Sequence, residues 1–206
     1  SRNACVDTYL KWIMAGRVVF IEALDFKVMD GKFTFHDWVE KGYAGVYPTH
    51  KDLQTHLSLQ FPEVRARGFL ELRSVDCQHK YWQAAPAAFY TGLLYDDKSL
   101  DAALQLLLPQ RKNLRSLWKH SVNGLQDDNL SLLSKQITEL ALEGFGRMPS
   151  CYHGGESKAL GRFYERYTSK RKTPADELLE VHAQGKGIFR PRDLLRLEEK
   201  WRKEEG

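Results

Sequence analysis

The stretch Phe61-Pro-Glu-Val-Arg-Ala-Arg-Gly-Phe-Leu-Glu-Leu-Arg-Ser-Val-Asp76 sets Glu71 among Arg65, Arg67 and Arg73. Arginine grips phosphate or carboxylate through a two-pronged fork, and a carboxylate among arginines suits a Mg²⁺ ion that bridges phosphate oxygens. The sequence from Gly68 to Asp76 predicts a strand, in which alternate side chains share a face. Phe69, Glu71, Arg73 and Val75 then lie on one side, and Leu70, Leu72, Ser74 and Asp76 on the other. An extended chain reaching back to Arg65 adds Arg65 and Arg67 to the face of Glu71 and Arg73. Apolar residues on both faces predict a central strand, where charge is costly unless paired or bound to a ligand. The same residues also suit a structural Glu71–Arg73 ion pair. The surplus of Arg over Glu leaves net positive charge and favours a site for an anion.

The elements that must position this stretch follow from periodicity and caps. Residues 5 to 15 have Val6, Tyr9, Leu10 and Ile13 at helical spacing, with Gly16 as the stop. Val18 to Met29 is rich in strand formers, and Asp30-Gly31 predicts a hairpin turn with Lys32 to Phe35 as the returning strand. Thr34 with Asp37, and Thr49 with Asp52, have the spacing of capping boxes that open two short helices. Pro62 stops the second of these before the charged stretch. Pro86 to Tyr95 is apolar nearly all round and predicts a buried helix.

Helices are expected over 98–108, 110–123, 129–145 and 156–168. In 129–145, Leu130, Leu133, Ile137, Leu140, Ala141 and Gly144 form a stripe of period 3.6. Thr173-Pro-Ala-Asp176 caps a helix to about Ala183. Gly185 and Gly187 read as a linker, and Arg192 to Glu205 as a charged, exposed last helix. The class is α+β: strands in the first third, then a largely helical C-terminal half. The expected organisation is a sheet-containing catalytic portion over 1–96, a helical portion packed on it over 97–187, and an exposed C-terminal helix over 188–206.

The chain has 206 residues, 42% hydrophobic and 28% charged, with a net charge of +4. This is enough to bury a core, and too weakly basic to point to nucleic acid. No apolar run is long enough to span a bilayer, so neither a nucleic-acid nor a membrane partner is expected. Cys5, Cys77 and Cys151 are widely spaced and form no Cys-x-x-Cys. That fits a reducing compartment, and a cytoplasmic location is expected.

Other residues invite a chemical reading and a plainer one. His56 lies on the apolar face of its helix and reads as a core histidine. His36, His50 and His79 read as solvated. Cys151-Tyr-His153-Gly-Gly155 is weak evidence for a nucleophile, because catalytic pairs meet in space rather than by adjacency. Lys170-Arg-Lys172 reads as a solvated basic turn. The run Leu104 to Leu108, Trp82 and Phe89 read as core.

Phe61-Pro-Glu-Val-Arg65, Leu70-Glu-Leu-Arg73 with Asp76, Pro86-Ala-Ala-Phe89 and Gly92-Leu-Leu-Tyr-Asp96 together resemble glutamate–cysteine ligases of the plant and proteobacterial type. The related ligase of ergothioneine biosynthesis shares much of this pattern. Tyr9 to Phe20 followed by Phe33-Thr-Phe-His-Asp37 resembles the family's helix-strand-hairpin segment, and Thr173-Pro-Ala-Asp-Glu-Leu-Leu179 resembles the start of its C-terminal helix.

The resemblance implies a glutamine-synthetase-like antiparallel sheet forming one wall of a funnel. It also implies an ATP- and Mg²⁺-dependent ligase of glutathione biosynthesis, cytoplasmic, joining L-glutamate to L-cysteine through a γ-glutamyl phosphate. By the family's pattern Glu71 is a Mg²⁺ ligand. Arg73 contacts phosphate or the substrate carboxylate, Arg65 lies near the same site, and Arg67 is nominated by position alone. Family chains are longer, so the chain is expected to be the C-terminal portion, inactive without an N-terminal portion that supplies further carboxylates. Val19 stands where relatives carry an aromatic lining the cysteine pocket, which leaves the amine acceptor open. The alternative is a non-catalytic interaction or anion-binding module that keeps the ligase fold.

Overall fold

Capping and turn chemistry set most element boundaries in the computed structural model, which describes residues 2–152, 155–184 and 191–205. The proposed linker glycines Gly185 and Gly187, and His153 and Gly154 of the cysteine–histidine loop, lie outside the described residues. The chain divides into two compact units, Ser1–Val75 and Asp76–Gly206.

In the first unit, helix α1 (Arg2–Met14) stops at Gly16, whose N–H donates to the Ile13 carbonyl at 2.9 Å. Strand β1 (Phe20–Ile21) pairs antiparallel with β2 (Lys27–Val28), Phe20 opposite Val28. Their connection is a 3₁₀ turn over Glu22–Leu24 followed by Asp25 and Phe26 at φ 55° and 54°. The expected hairpin therefore closes earlier than Asp30-Gly31. That dipeptide does turn the chain, with Asp30 Oδ1 accepting from the Lys32 N–H at 3.0 Å. Lys32 to Phe35, however, forms no strand: it meets the start of the unit through a single bridge between Arg17 and Thr34. The reason is local. Thr34 is committed to a helix cap and turns the chain into α2 (Phe35–Lys41).

Both expected capping boxes are present. Thr34 Oγ1 accepts from the Asp37 N–H and Thr49 Oγ1 from the Asp52 N–H, while each aspartate accepts from the threonine N–H in return. Each cap contributes about 1 kcal/mol. The second opens α3 (His50–Leu59). Val18, Ile21, Phe35 and Trp38 are buried together at the centre of this unit. After α3 the chain forms a second hairpin, β3 (Val64–Ala66) against β4 (Leu70–Leu72).

The second unit is helical, so the described chain is α+β with its helical half C-terminal. Helix α4 (Ala84–Leu94) buries Ala85, Ala88, Gly92 and Leu93. It packs against α7 (Asp128–Arg147) and α8 (Gly155–Arg166). The α4–α7 crossing is backbone to backbone: a Cβ on Gly92 would lie 2.0 Å from the Ala141 carbonyl oxygen, and one on Gly144 2.0 Å from that of Gly92. Asp96 caps α5 (Asp97–Leu107) by accepting from the Ser99 N–H at 2.9 Å. Arg147 at the end of α7 reaches the same carboxylate at 2.7 Å.

The leucine run is not core. Leu104, Leu107 and Leu108 are 45%, 42% and 61% exposed, because Ser99 and Ala103 occupy the inward face of α5. The expected helix over 110–123 is broken into a 3₁₀ turn (Leu108–Lys112) containing Pro109, α6 (Leu114–His120), and a 3₁₀ turn (Ser121–Asn123).

The last helix also departs from expectation. In α10 (Pro191–Glu205), Leu197 and Trp201 are buried with Trp82 and Tyr167 rather than exposed. Their spacing of four residues gives a narrow apolar stripe that the high overall charge of the helix conceals. Glu177 of α9 (Pro174–Gln184) locks it in place by accepting from Arg166, the Tyr167 hydroxyl, Lys200 and the Trp201 indole. Among the described residues no helix is long and apolar enough to cross a membrane.

Candidate functional site

The charged stretch is a hairpin, not one strand. Gly68, at φ 77°, takes the turn position that an L side chain resists, and Arg67 donates its N–H to the Phe69 carbonyl at 2.8 Å across it. Arg65 is thereby set directly opposite Glu71, and Ala66 opposite Leu70. The Arg73 N–H donates to the Glu63 carbonyl at 2.9 Å and extends the ladder. One face holds Val64, Ala66, Leu70 and Leu72, and the other Arg65, Glu71 and Arg73. The hairpin is two-stranded, and Leu70 is 70% exposed, so the expectation of a central strand is corrected.

The geometry brings three of the four nominated residues together. Arg65 approaches Glu71 Oε2 at 3.6 Å, and Arg73 approaches Glu71 Oε1 at 3.4 Å. Arg67 sits exposed in the turn and joins neither pair. Arg65 is the most enclosed, with 12% of its side chain exposed against 24% for Arg73 and 34% for Glu71. Its guanidinium also donates to the Gln60 carbonyl at 3.1 Å and the Ser58 carbonyl at 3.4 Å, so it ties the hairpin to the end of α3. Arg73 lies over the Phe61 ring, 4.9 Å from its centroid. Periodicity along the sequence does not single out Phe61. Once Gly68 is taken as the turn, Phe61 falls on the charged face, diagonal to Arg73, and the contact becomes visible.

Both ion pairs are long, and two polar atoms inside the cluster, Arg65 Nε and Glu71 Oε2, are buried without a hydrogen-bond partner. Buried polar atoms left unpaired cost about 1–3 kcal/mol each. A carboxylate whose oxygens meet only long guanidinium contacts, with those guanidiniums beside it, is a group suited to an oxyanion and to one coordination position of a hard cation. Among the described residues no group of three or more His, Cys, Asp or Glu could hold a metal ion. By its chemistry Glu71 alone can offer a hard cation one ligand.

His56, His79 and the basic turn are held by contacts within the fold. His56 is 5% exposed, stacks on Phe35 at 4.5 Å, and hydrogen-bonds the Ile13 carbonyl through Nε2 at 2.9 Å. Desolvation holds its pKa below the usual imidazole range, against the raising effect of that hydrogen bond. His79 is not solvated as expected; it stacks on Tyr81 at 5.4 Å and meets the edge of Trp201. In the basic turn, Arg171 bonds the Gln126 carbonyl and Asp128, both at 2.7 Å, and Lys172 pairs with Glu180 at 2.7 Å. Cys5, Cys77 and Cys151 are free and exposed.

Residues 22–190 match the family model described as Glutamate-cysteine ligase family 2 (GCS2). The chain is 33% identical over 146 residues to the chloroplastic glutamate–cysteine ligase of Arabidopsis thaliana, covering 67% of this chain and 27% of the relative. It is 32% identical over 146 residues to that of Medicago truncatula and 31% over 144 residues to that of Solanum lycopersicum, at the same coverage of both chains. The match thus spans about a quarter of the length of these relatives. No solved structure matches.

Proposed function

The chain belongs to the glutamate–cysteine ligase family, and from that premise we propose that it works within an ATP-dependent ligase forming the γ-glutamyl amide bond between L-glutamate and L-cysteine. The reading assigns activation of the γ-carboxylate to ATP and displacement of phosphate to the amine. The observation that carries it is the Arg65–Glu71–Arg73 cluster, with its long ion pairs and a Glu71 Oε2 that no hydrogen bond satisfies. Phosphoryl transfer rests mainly on positioning and on neutralising charge at the transferred group.

In this reading Glu71 offers one oxygen to Mg²⁺, whose role when bound is to neutralise phosphate charge. Phosphate oxygens, water and carboxylates from elsewhere in the full-length protein would supply the other ligands. Arg73, lying over the Phe61 ring, orients a phosphate or substrate carboxylate through its free edge. Arg65 holds Glu71 in place from across the hairpin and keeps the strand pair against α3. Arg67 has no assigned contact and is kept as a peripheral phosphate-binding candidate.

The test is product formation by the full-length protein with ATP, Mg²⁺ and glutamate, with cysteine or other amines. Phosphate release that requires glutamate, and γ-glutamylcysteine as product, is the expected result. A different preferred amine would confine the revision to the acceptor, in line with Val19. The absence of glutamate-dependent ATP consumption with every amine would overturn the reading. Arg65's anchoring to the α3 carbonyls favours one other reading, a hairpin kept as an anion-binding module without catalysis, and that last outcome would select it.

A further inference from the structure

Residues 102–126 contain no Asp or Glu, but include Arg111, Lys112, Arg115 and Lys119. The fold displays the second half of this stretch at the surface as a 3₁₀ turn, α6 and another 3₁₀ turn in nearly unbroken succession. From 111 to 123 every residue except Leu117 is exposed. Leu114, Trp118 and Val122 recur every four residues, a spacing that stacks side chains on one helical face. They are 65%, 73% and 86% exposed. Arg111, Arg115 and Lys119 repeat at the same interval on the adjoining face. Among the described residues none of the four cations forms an ion pair; the nearest pair, His120 with Asp127 at 2.8 Å, lies beyond them.

A row of large apolar side chains this open has no role in holding the unit together, and such rows mark contact surfaces. The charge says what kind. The cations call for a negative surface, and the side chains between them call for one with an apolar layer beneath it. Nucleic acid satisfies the first requirement but offers no layer for leucine and valine. The leucine, tryptophan and valine project singly from a convex helix, and a fluid surface can yield around each of them. A bilayer carrying anionic headgroups meets every condition: tryptophan and leucine settle at headgroup depth while lysine and arginine meet the phosphates.

We infer that this face of α6 and its flanking turns docks on an anionic lipid surface, with Leu114, Trp118 and Val122 toward the acyl chains. It needs no spanning helix, and it differs from the sequence expectation of no membrane partner. The inference is independent of the ligase reading.

The experiment is flotation of the full-length protein with vesicles of phosphatidylcholine alone or doped with phosphatidylserine. The doped vesicles are expected to carry about tenfold more protein at low salt, with the excess lost at high salt. The pair Leu114→Ser/Trp118→Ser and the pair Arg111→Glu/Arg115→Glu are each expected to abolish the excess without changing the melting temperature. Equal recovery with both vesicle types overturns the inference, as does full binding by the serine pair, which would leave only a surface charge effect. A wild-type oligomer that stays off vesicles and dissociates in the serine pair also overturns it, since the face would then be covered by protein.

Discussion

Arg65 and Glu71 face each other across the β3–β4 hairpin, with guanidinium and carboxylate 3.6 Å apart and the arginine also holding the Ser58 and Gln60 carbonyls at the end of α3. One side chain therefore both positions the carboxylate and fastens the hairpin. Arg65→Met is expected to lower stability by about 2 kcal/mol, the worth of charge-assisted hydrogen bonds lost from an enclosed site. Urea denaturation checks this. An unchanged midpoint would show that the hairpin is held by other contacts.

Arg73 has a narrower task. It is stacked on Phe61 and touches Glu71 with one edge, so its other edge is the one available to an anion. Arg73→Lys keeps the charge but loses the planar fork and most of the stacking. Turnover of the full-length enzyme is expected to fall about tenfold or more, with stability nearly unchanged. Wild-type kinetics would remove Arg73 from the site.

The contact between α4 and α7 leaves no room for a methyl group. Gly92→Ala places its Cβ against the Ala141 carbonyl and the Phe145 N–H, both backbone groups that cannot rotate away. The helices must separate, at a cost of about 3 kcal/mol. A thermal melt within one degree of wild type would contradict that packing.

Glu177 makes the second unit sensitive to acid. Burial alone would raise its pKa, but hydrogen bonds from Arg166, Tyr167, Lys200 and Trp201 outweigh it and bring the value from 4.5 down to about 2. The folded state thus binds its proton less readily than the unfolded chain. The resulting stability is complete above about pH 5 and is lost as pH falls towards 2, on the order of 3 kcal/mol in all. Glu177→Gln lacks it at every pH. The stability gap between wild type and variant is expected to close between about pH 5 and pH 2 in chemical denaturation; a gap constant across that range would refute the assignment.

Much of the fold was legible because its signals are local. Thr34 with Asp37 and Thr49 with Asp52 are capping boxes in sequence and in structure. The apolar helix α4 is buried as its composition required, and the stripe from Leu133 to Gly144 faces inward in α7. What failed depended on partners distant in sequence. The charge of α10 hid Leu197 and Trp201, whose burial depends on Trp82 and Tyr167. Leu104 to Leu108 looked like core, yet only an inward face with room for Ser99 and Ala103 was needed. At the site, alternation along one strand correctly grouped Glu71 with Arg73. Arg65 joins them by cross-strand pairing instead, and Arg67 is lost to the turn, because the left-handed Gly68 folds the stretch back on itself. A glycine between two runs of strand formers was the signal available for that turn.

The central claim is that the carboxylate between Arg65 and Arg73 serves the reaction rather than the fold. Glu71→Gln keeps the shape of the side chain and removes its charge. With the full-length protein, γ-glutamylcysteine formation under saturating ATP and glutamate is expected to fall about 100-fold or more while the melting temperature stays near wild type. Full turnover in the folded variant would contradict the claim and leave Glu71 a structural ion-pair partner.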